Sequence, residues 1–64
     1  MRFEALLPKL ELNQGSAGAT RRIWKNRAYV VMGYSSRLYI VVGARNLPYA
    51  LSFEDAIADD WMLI

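Results

Sequence analysis

"RAYVVMGYSSRLYIVVG", residues 27–43, decides the fold. Two apolar runs rich in valine, isoleucine and tyrosine flank Gly33-Tyr34-Ser35-Ser36, a glycine- and serine-containing segment that signals a hairpin. Each run falls far short of the ~20 residues that cross a bilayer. A near-continuous apolar strand is one whose two faces are both covered. The sequence therefore predicts a strand pair with a helix on one face and another subunit on the other.

The upstream segment supplies the helix. Phe3, Leu6, Leu7 and Leu10 fall at i, i+3, i+4 and i+7, one apolar face. Pro8 removes a backbone donor and disfavours helical geometry at Leu7, so a kink or a late start is expected. "NQGSAG", residues 13–18, ends the helix as a turn, with Gly15 available for a left-handed cap. From Ala19 the character becomes that of an exposed strand, "ATRRIW", residues 19–24.

Downstream, "ARNLPYAL", residues 44–51, reads as a further strand, with Pro48 confining it to an edge or an end. Ser52 followed by Asp55 resembles a capping box, with Asp in place of the usual Glu or Gln. Glu54 and Asp55 then occupy the first helical turn, where the dipole favours negative charge, whereas Asp59 and Asp60 lie at the end where it does not. Such a broken local rule points toward a functional site. "WMLI" closes the chain as a short strand.

Sixty-four residues make one domain with a small core, and 55% hydrophobic residues are more than so small a monomer covers easily. Self-association is the expected remedy. With no cysteine and no histidine, disulfides, thiolate zinc sites and the commonest general base are excluded. Glu4, Pro8, Lys9 and Glu11 interrupt the only N-terminal stretch resembling a signal peptide, so a cytosolic, soluble protein without membrane partners is expected.

Charge is unevenly placed. Residues 1–32 carry six basic and two acidic side chains, and residues 33–64 two basic and four acidic. "RRIWKNR" sets Arg21, Arg22, Lys25 and Arg27 around Trp24, a cationic patch with an aromatic that suits a phosphorylated or nucleotide-like ligand. The competing reading is a solvated strand edge made repulsive to other strands. Six Trp and Tyr residues, among them Trp24, Tyr49 and Trp61, offer faces for a base or simply fill the core. The arginines offer phosphate donors, and Asn26, Ser52 and the aspartates offer partners for base edges and ribose hydroxyls. A duplex-binding protein would carry a larger basic excess than the net +2 here. Asp55 and Asp59, spaced i, i+4, could share a divalent cation, although such a pair more often forms a solvated helix face. No phosphate-binding glycine loop, nucleophile elbow or metalloprotease helix is present, so a non-catalytic binder with no cofactor is expected.

The chain opens with "FEALLPKL", passes through "TRRIW" and a strand pair, and closes with "PYALSFEDAIADDW". In this order of features it resembles the second Thoeris anti-defence family, small phage proteins that counter bacterial Thoeris defence by sequestering its nucleotide signal. The resemblance runs through Phe3, Ala5, Leu6 and Gly15, then Arg22 and Trp24, then Pro48, Tyr49, Ser52, Asp55, Ala58, Asp60 and Trp61. The C-terminal stretch is its most specific part. Lys25 stands between Trp24 and Asn26, Arg27-Ala28 replace the family's glycines, Tyr49 replaces a common tryptophan, and a loop between the central strands is missing.

What the resemblance implies is an α+β domain, an N-terminal helix packed on a small antiparallel sheet or sandwich, with a short C-terminal helix and a terminal strand. It implies a homo-oligomer, a tetramer, with ligand pockets at subunit boundaries, in the cytoplasm of an infected bacterial host cell. The implied ligands are cyclic ADP-ribose isomers, with cyclic di- and trinucleotides as a second class, held without turnover. Trp24 would stack on a base, and Arg22 and Arg27 would meet phosphates. Asn26, Tyr49, Ser52, Asp55 and Asp60 would complete the site. The alternatives are a non-catalytic protein–protein interaction module of phage origin and an enzyme that degrades the signal.

Overall fold

A computed structural model of the chain describes residues 1–14 and 16–64, with only the backbone described at Tyr34. Helix α1 spans Phe3–Leu12, and the strands are β1 (Gly18–Arg21), β2 (Ala28–Met32), β3 (Leu38–Val42), β4 (Arg45–Pro48) and β5 (Trp61–Leu63). A short helix, α2 (Phe53–Ile57), lies between β4 and β5. The strands form one antiparallel sheet in the order β4-β3-β2-β1-β5. β1 to β4 are a meander, and the segment carrying α2 brings β5 back beside β1. The α+β class and the helix-on-sheet arrangement are thus as the sequence predicts, in a single sheet.

Phe3, Leu6 and Leu10 are buried against Ala19, Val30, Met32 and Trp61, which makes one core between α1 and the β5-β1-β2 half of the sheet. The expected face of α1 is therefore the buried one. Pro8 lies inside the helix on its exposed side and does not delay its start, which is at Phe3. Burial of three large side chains offsets the donor that the proline removes. Asn13 ends the helix, and its side-chain amide donates to the Lys9 carbonyl at 2.9 Å. The cap expected at Gly15 lies outside the described residues.

The hairpin predicted from residues 27–43 pairs Ala28 with Val42, Val30 with Ile40 and Met32 with Leu38. Ser35 and Ser36 take positive φ in its turn. The β3–β4 turn is led by Gly43 at φ +61°, the conformation a glycine-led two-residue hairpin turn requires.

One expected strand is shorter than its sequence suggests. β1 stops at Arg21, and Arg22–Trp24 form a single 3-10 turn instead. A second tight turn follows at once. The Arg27 amide donates to the Trp24 carbonyl at 3.0 Å, with Lys25 (φ 53°) and Asn26 (φ 63°) both left-handed. Those two angles are the signature of the primed turn that suits a right-twisted strand pair. Asn accepts it readily, and lysine does so at a cost. After these turns Trp24 packs against the core cluster, a placement that alternation continued from Ala19 and Arg21 would not give it.

Alternation assigns the two faces. Ala28, Val30 and Met32 point toward α1, and with them Leu38, Ile40 and Val42. Tyr29, Val31, Tyr39 and Val41 point the other way, to a face that no helix or strand among the described residues covers.

Candidate functional site

α1 packs over β5, β1 and β2, leaving the β3 side of the same face open. A groove of about 400 Å³ occupies that space. Its lining is Ile23, Trp24, Arg27, Ala28, Ile40, Val42, Tyr49 and Asp55. The volume is within the usual range for small-molecule sites.

Trp61 organises the groove from beneath. It is 2% exposed, and its indole N–H donates to the Asp55 carbonyl at 2.9 Å. Its ring meets Phe3 edge-on with centroids 4.8 Å apart, and Trp24 edge-on at 5.2 Å. The two tryptophans that look alike in sequence therefore differ in role. Trp61 is core, whereas Trp24 is half-buried, one edge held by Trp61 and the ring on the groove wall.

Behind this wall lies an ion cluster centred on Arg21. Its Nη1 donates to Asp55 Oδ1 at 2.9 Å and its Nε to Asp60 Oδ1 at 2.8 Å. The Asp60 Oδ2 accepts from the Ile23 backbone amide at 3.3 Å, and Asp55 Oδ2 accepts from the Tyr49 hydroxyl at 2.5 Å. The Asp60 carboxyl is held below its ordinary range chiefly by the hydrogen bond from Arg21, with a further contribution from the Ile23 amide. The Arg21 guanidinium is correspondingly raised by Asp60, against an opposing effect of burial. The Tyr49 hydroxyl is pushed well above its ordinary value, first by burial and then by its bond to the Asp55 carboxylate. Tyr49 is thus a neutral donor at any physiological pH.

Three chain segments meet in this cluster. Arg21 ends β1, Asp55 lies in α2 and Asp60 in the last turn before β5. Ser52 contributes the N-cap, its hydroxyl accepting from the Asp55 amide at 3.1 Å. The Asp55 side chain does not reach back to close a capping box. It is taken by Arg21 and Tyr49. α2 ends at Ile57, so Asp55 and Asp59 do not share a helical face, and Asp60 sits past the unfavourable dipole end, neutralised by Arg21. The Met1 nitrogen donates to the Asp59 carbonyl.

Of the eight residues singled out from sequence, Trp24, Arg27, Tyr49 and Asp55 line the groove together. Asp60 stands behind it through Arg21, and Ser52 caps α2. Arg22 and Asn26 are exposed on the consecutive turns and are not part of the lining. Arg21 is the residue that sequence reasoning passed over in favour of its neighbour. In the strand it shares a face with Ala19 and pairs with Trp61, which turns its side chain toward the α1 side. No helix among the described residues is long and apolar enough to cross a membrane.

No protein-family model, curated protein or solved structure matches this chain.

Proposed function

We propose that the protein is a non-catalytic binder that sequesters a cyclic nucleotide immune signal, a cyclic ADP-ribose isomer or a related cyclic di- or trinucleotide, as a phage anti-defence factor. The observation that carries the reading is the groove itself, an apolar floor of Ala28, Ile40 and Val42 with the Trp24 ring on one side and Arg27 and Tyr49 at its margins. An aromatic face beside a guanidinium fits a ligand that joins a base to phosphates. The identity of the signal rests on the resemblance of the terminal "PYALSFEDAIADDW" to the anti-defence family.

In this reading Trp24 stacks on the base, and Arg27 takes phosphate from the groove while Arg22 and Lys25 add positive potential at the turn beside it. Tyr49 and Asp55 face the ribose side. Asp60 and Ser52 act at one remove, Asp60 by holding Arg21 and the Ile23 amide, Ser52 by starting α2. Asn26 sets the turn that presents the Trp24 ring. In this reading the ligand is held intact, without turnover.

Isothermal titration against cyclic ADP-ribose isomers and cyclic dinucleotides tests this. The expected result is saturable binding of one class, an affinity loss of tenfold or more in Trp24→Ala, in line with the ~1–3 kcal/mol of a base–aromatic stack, and recovery of unaltered ligand after heating. Binding unchanged in a folded Trp24→Ala protein, or a hydrolysed ligand, would reject it.

A further inference from the structure

We infer that Arg45 is a second phosphate-binding residue of the groove, and that the ligand carries two phosphates standing apart on a ring rather than joined as a pyrophosphate. The inference rests on the nucleotide reading and narrows its ligand class.

Strand register places Arg45 beside the groove floor. Ala28 pairs with Val42 and Val42 with Arg45, so the three form one row across β2, β3 and β4. Paired residues of an antiparallel sheet share a face, here the α1 side. α1 itself packs over β5, β1 and β2, and Arg45 at the far end of the row is exposed. Leu47 pairs with Ile40 in the same way and is 41% exposed, so the apolar floor runs on from Ile40 and Val42 to the edge strand. Arg45 stands at the end of that floor. Its backbone is fixed by the tight turn at Gly43-Ala44, which the Val42–Arg45 pair closes.

Arg27 stands at the other end of the row, immediately before Ala28, and lines the groove. Neighbouring strands lie ~4.8 Å apart, so β2 and β4 are separated by roughly 10 Å with Val42 between them. Among the described residues, neither guanidinium is paired with a carboxylate, in contrast to Arg21.

Charge elsewhere directs phosphates toward this row. Arg21 with Asp55 and Asp60 sets one cation against two anions, a net negative cluster on the β1 side. It repels a phosphate, and β4 is the strand of the meander farthest from β1. Two guanidiniums rooted on either side of Val42 can each take one phosphate through a charge-assisted fork. A pyrophosphate, its phosphorus atoms joined through one oxygen, would engage one of them and leave the other apart. The competing role for Arg45 is a charge that guards the strand edge, a task Pro48 already performs on the same strand.

Isothermal titration of the full chain with cyclic di-AMP, cyclic di-GMP and cyclic ADP-ribose tests the inference. Wild type should bind one of the two dinucleotides at least tenfold more tightly than cyclic ADP-ribose, a preference read without any variant. Arg45→Gln should weaken that dinucleotide tenfold or more and change cyclic ADP-ribose less than twofold, with an unchanged far-ultraviolet circular dichroism spectrum. Arg45→Lys should recover part of the loss, because it restores the charge without the fork. A wild type that prefers cyclic ADP-ribose overturns the inference and leaves the nucleotide reading standing. So does an Arg45→Gln protein that keeps its dinucleotide affinity, including one that loses only solubility, the mark of an edge guard. A wild type that binds none of the three overturns the nucleotide reading and this inference with it.

Discussion

Replacing Arg21 with methionine keeps most of the aliphatic stem and removes the guanidinium that joins β1 to α2 and to the turn before β5. The side chains of Arg21, Asp55 and Asp60 are 17%, 15% and 23% exposed, so the variant leaves two largely covered carboxylates without their shared cation. Each charge-assisted hydrogen bond is worth roughly 1.5–3 kcal/mol, and breaking a buried pair by deleting one partner costs roughly 3–5. The cover in so small a domain is thin, and solvent screening lowers the figure to about 3 kcal/mol. Against a native stability of roughly 3–10 kcal/mol for 64 residues, that is a large fraction. Urea unfolding followed by tryptophan fluorescence reads it directly, because Trp24 and Trp61 both lie beside the cluster. Arg22→Met, at an exposed neighbouring position, should change stability by less than ~0.5 kcal/mol. The pH dependence supplies an internal check. Asp60 has a folded value below its unfolded one, so its contribution is present above about pH 4 and is lost as pH falls through the lower folded value. The gap between wild type and Arg21→Met should therefore narrow on acidification. Equal losses in the two arginine variants at pH 7, or a gap independent of pH, would refute the reasoning.

Pro8→Ala should raise stability by about 2–3 kcal/mol, because it restores a helix hydrogen bond at an exposed position inside α1; an unchanged urea midpoint would count against it. Lys25→Gly should stabilise by about 0.5–1 kcal/mol, since φ 53° suits glycine and strains lysine, and a lower midpoint would contradict the primed turn. Tyr49→Phe should change the alkaline limb. The hydroxyl is raised in the folded state, so its contribution is complete below the ordinary tyrosine value near pH 10 and fades as pH climbs above it. Stability profiles of wild type and Tyr49→Phe that stay parallel from pH 8 to 12 would show that the Asp55 bond does not stabilise the fold.

The parts of the fold written in local pattern are the parts legible in the sequence. The i, i+3, i+4, i+7 spacing of Phe3, Leu6, Leu7 and Leu10 marks α1, the valine runs mark β2 and β3, and Ser52 marks the start of α2. Arg22-Ile23-Trp24 was not legible, because a β-branched residue and an aromatic favour a strand, and only the left-handed pair Lys25-Asn26 that follows ends it. Lysine at such a position gives no warning. The choice between Arg21 and Arg22 was open for the same reason. Without knowing where β1 ends, its inward parity cannot be counted. The partners of Arg21 lie 34 and 39 residues away, a distance over which spacing carries no information. The groove follows from these long-range contacts, so the sequence offers its residue types and not its floor, since Ile40 and Val42 look like any strand residues.

Native mass spectrometry of the purified protein with a mixture of cyclic ADP-ribose isomers and cyclic dinucleotides tests the binding claim most directly. The account predicts that one nucleotide is retained, at unaltered mass and whole-number stoichiometry, and that Trp24→Ala loses it while keeping its fold. A wild-type protein that retains none of them, or a Trp24→Ala protein that retains the same one equally well, would contradict it.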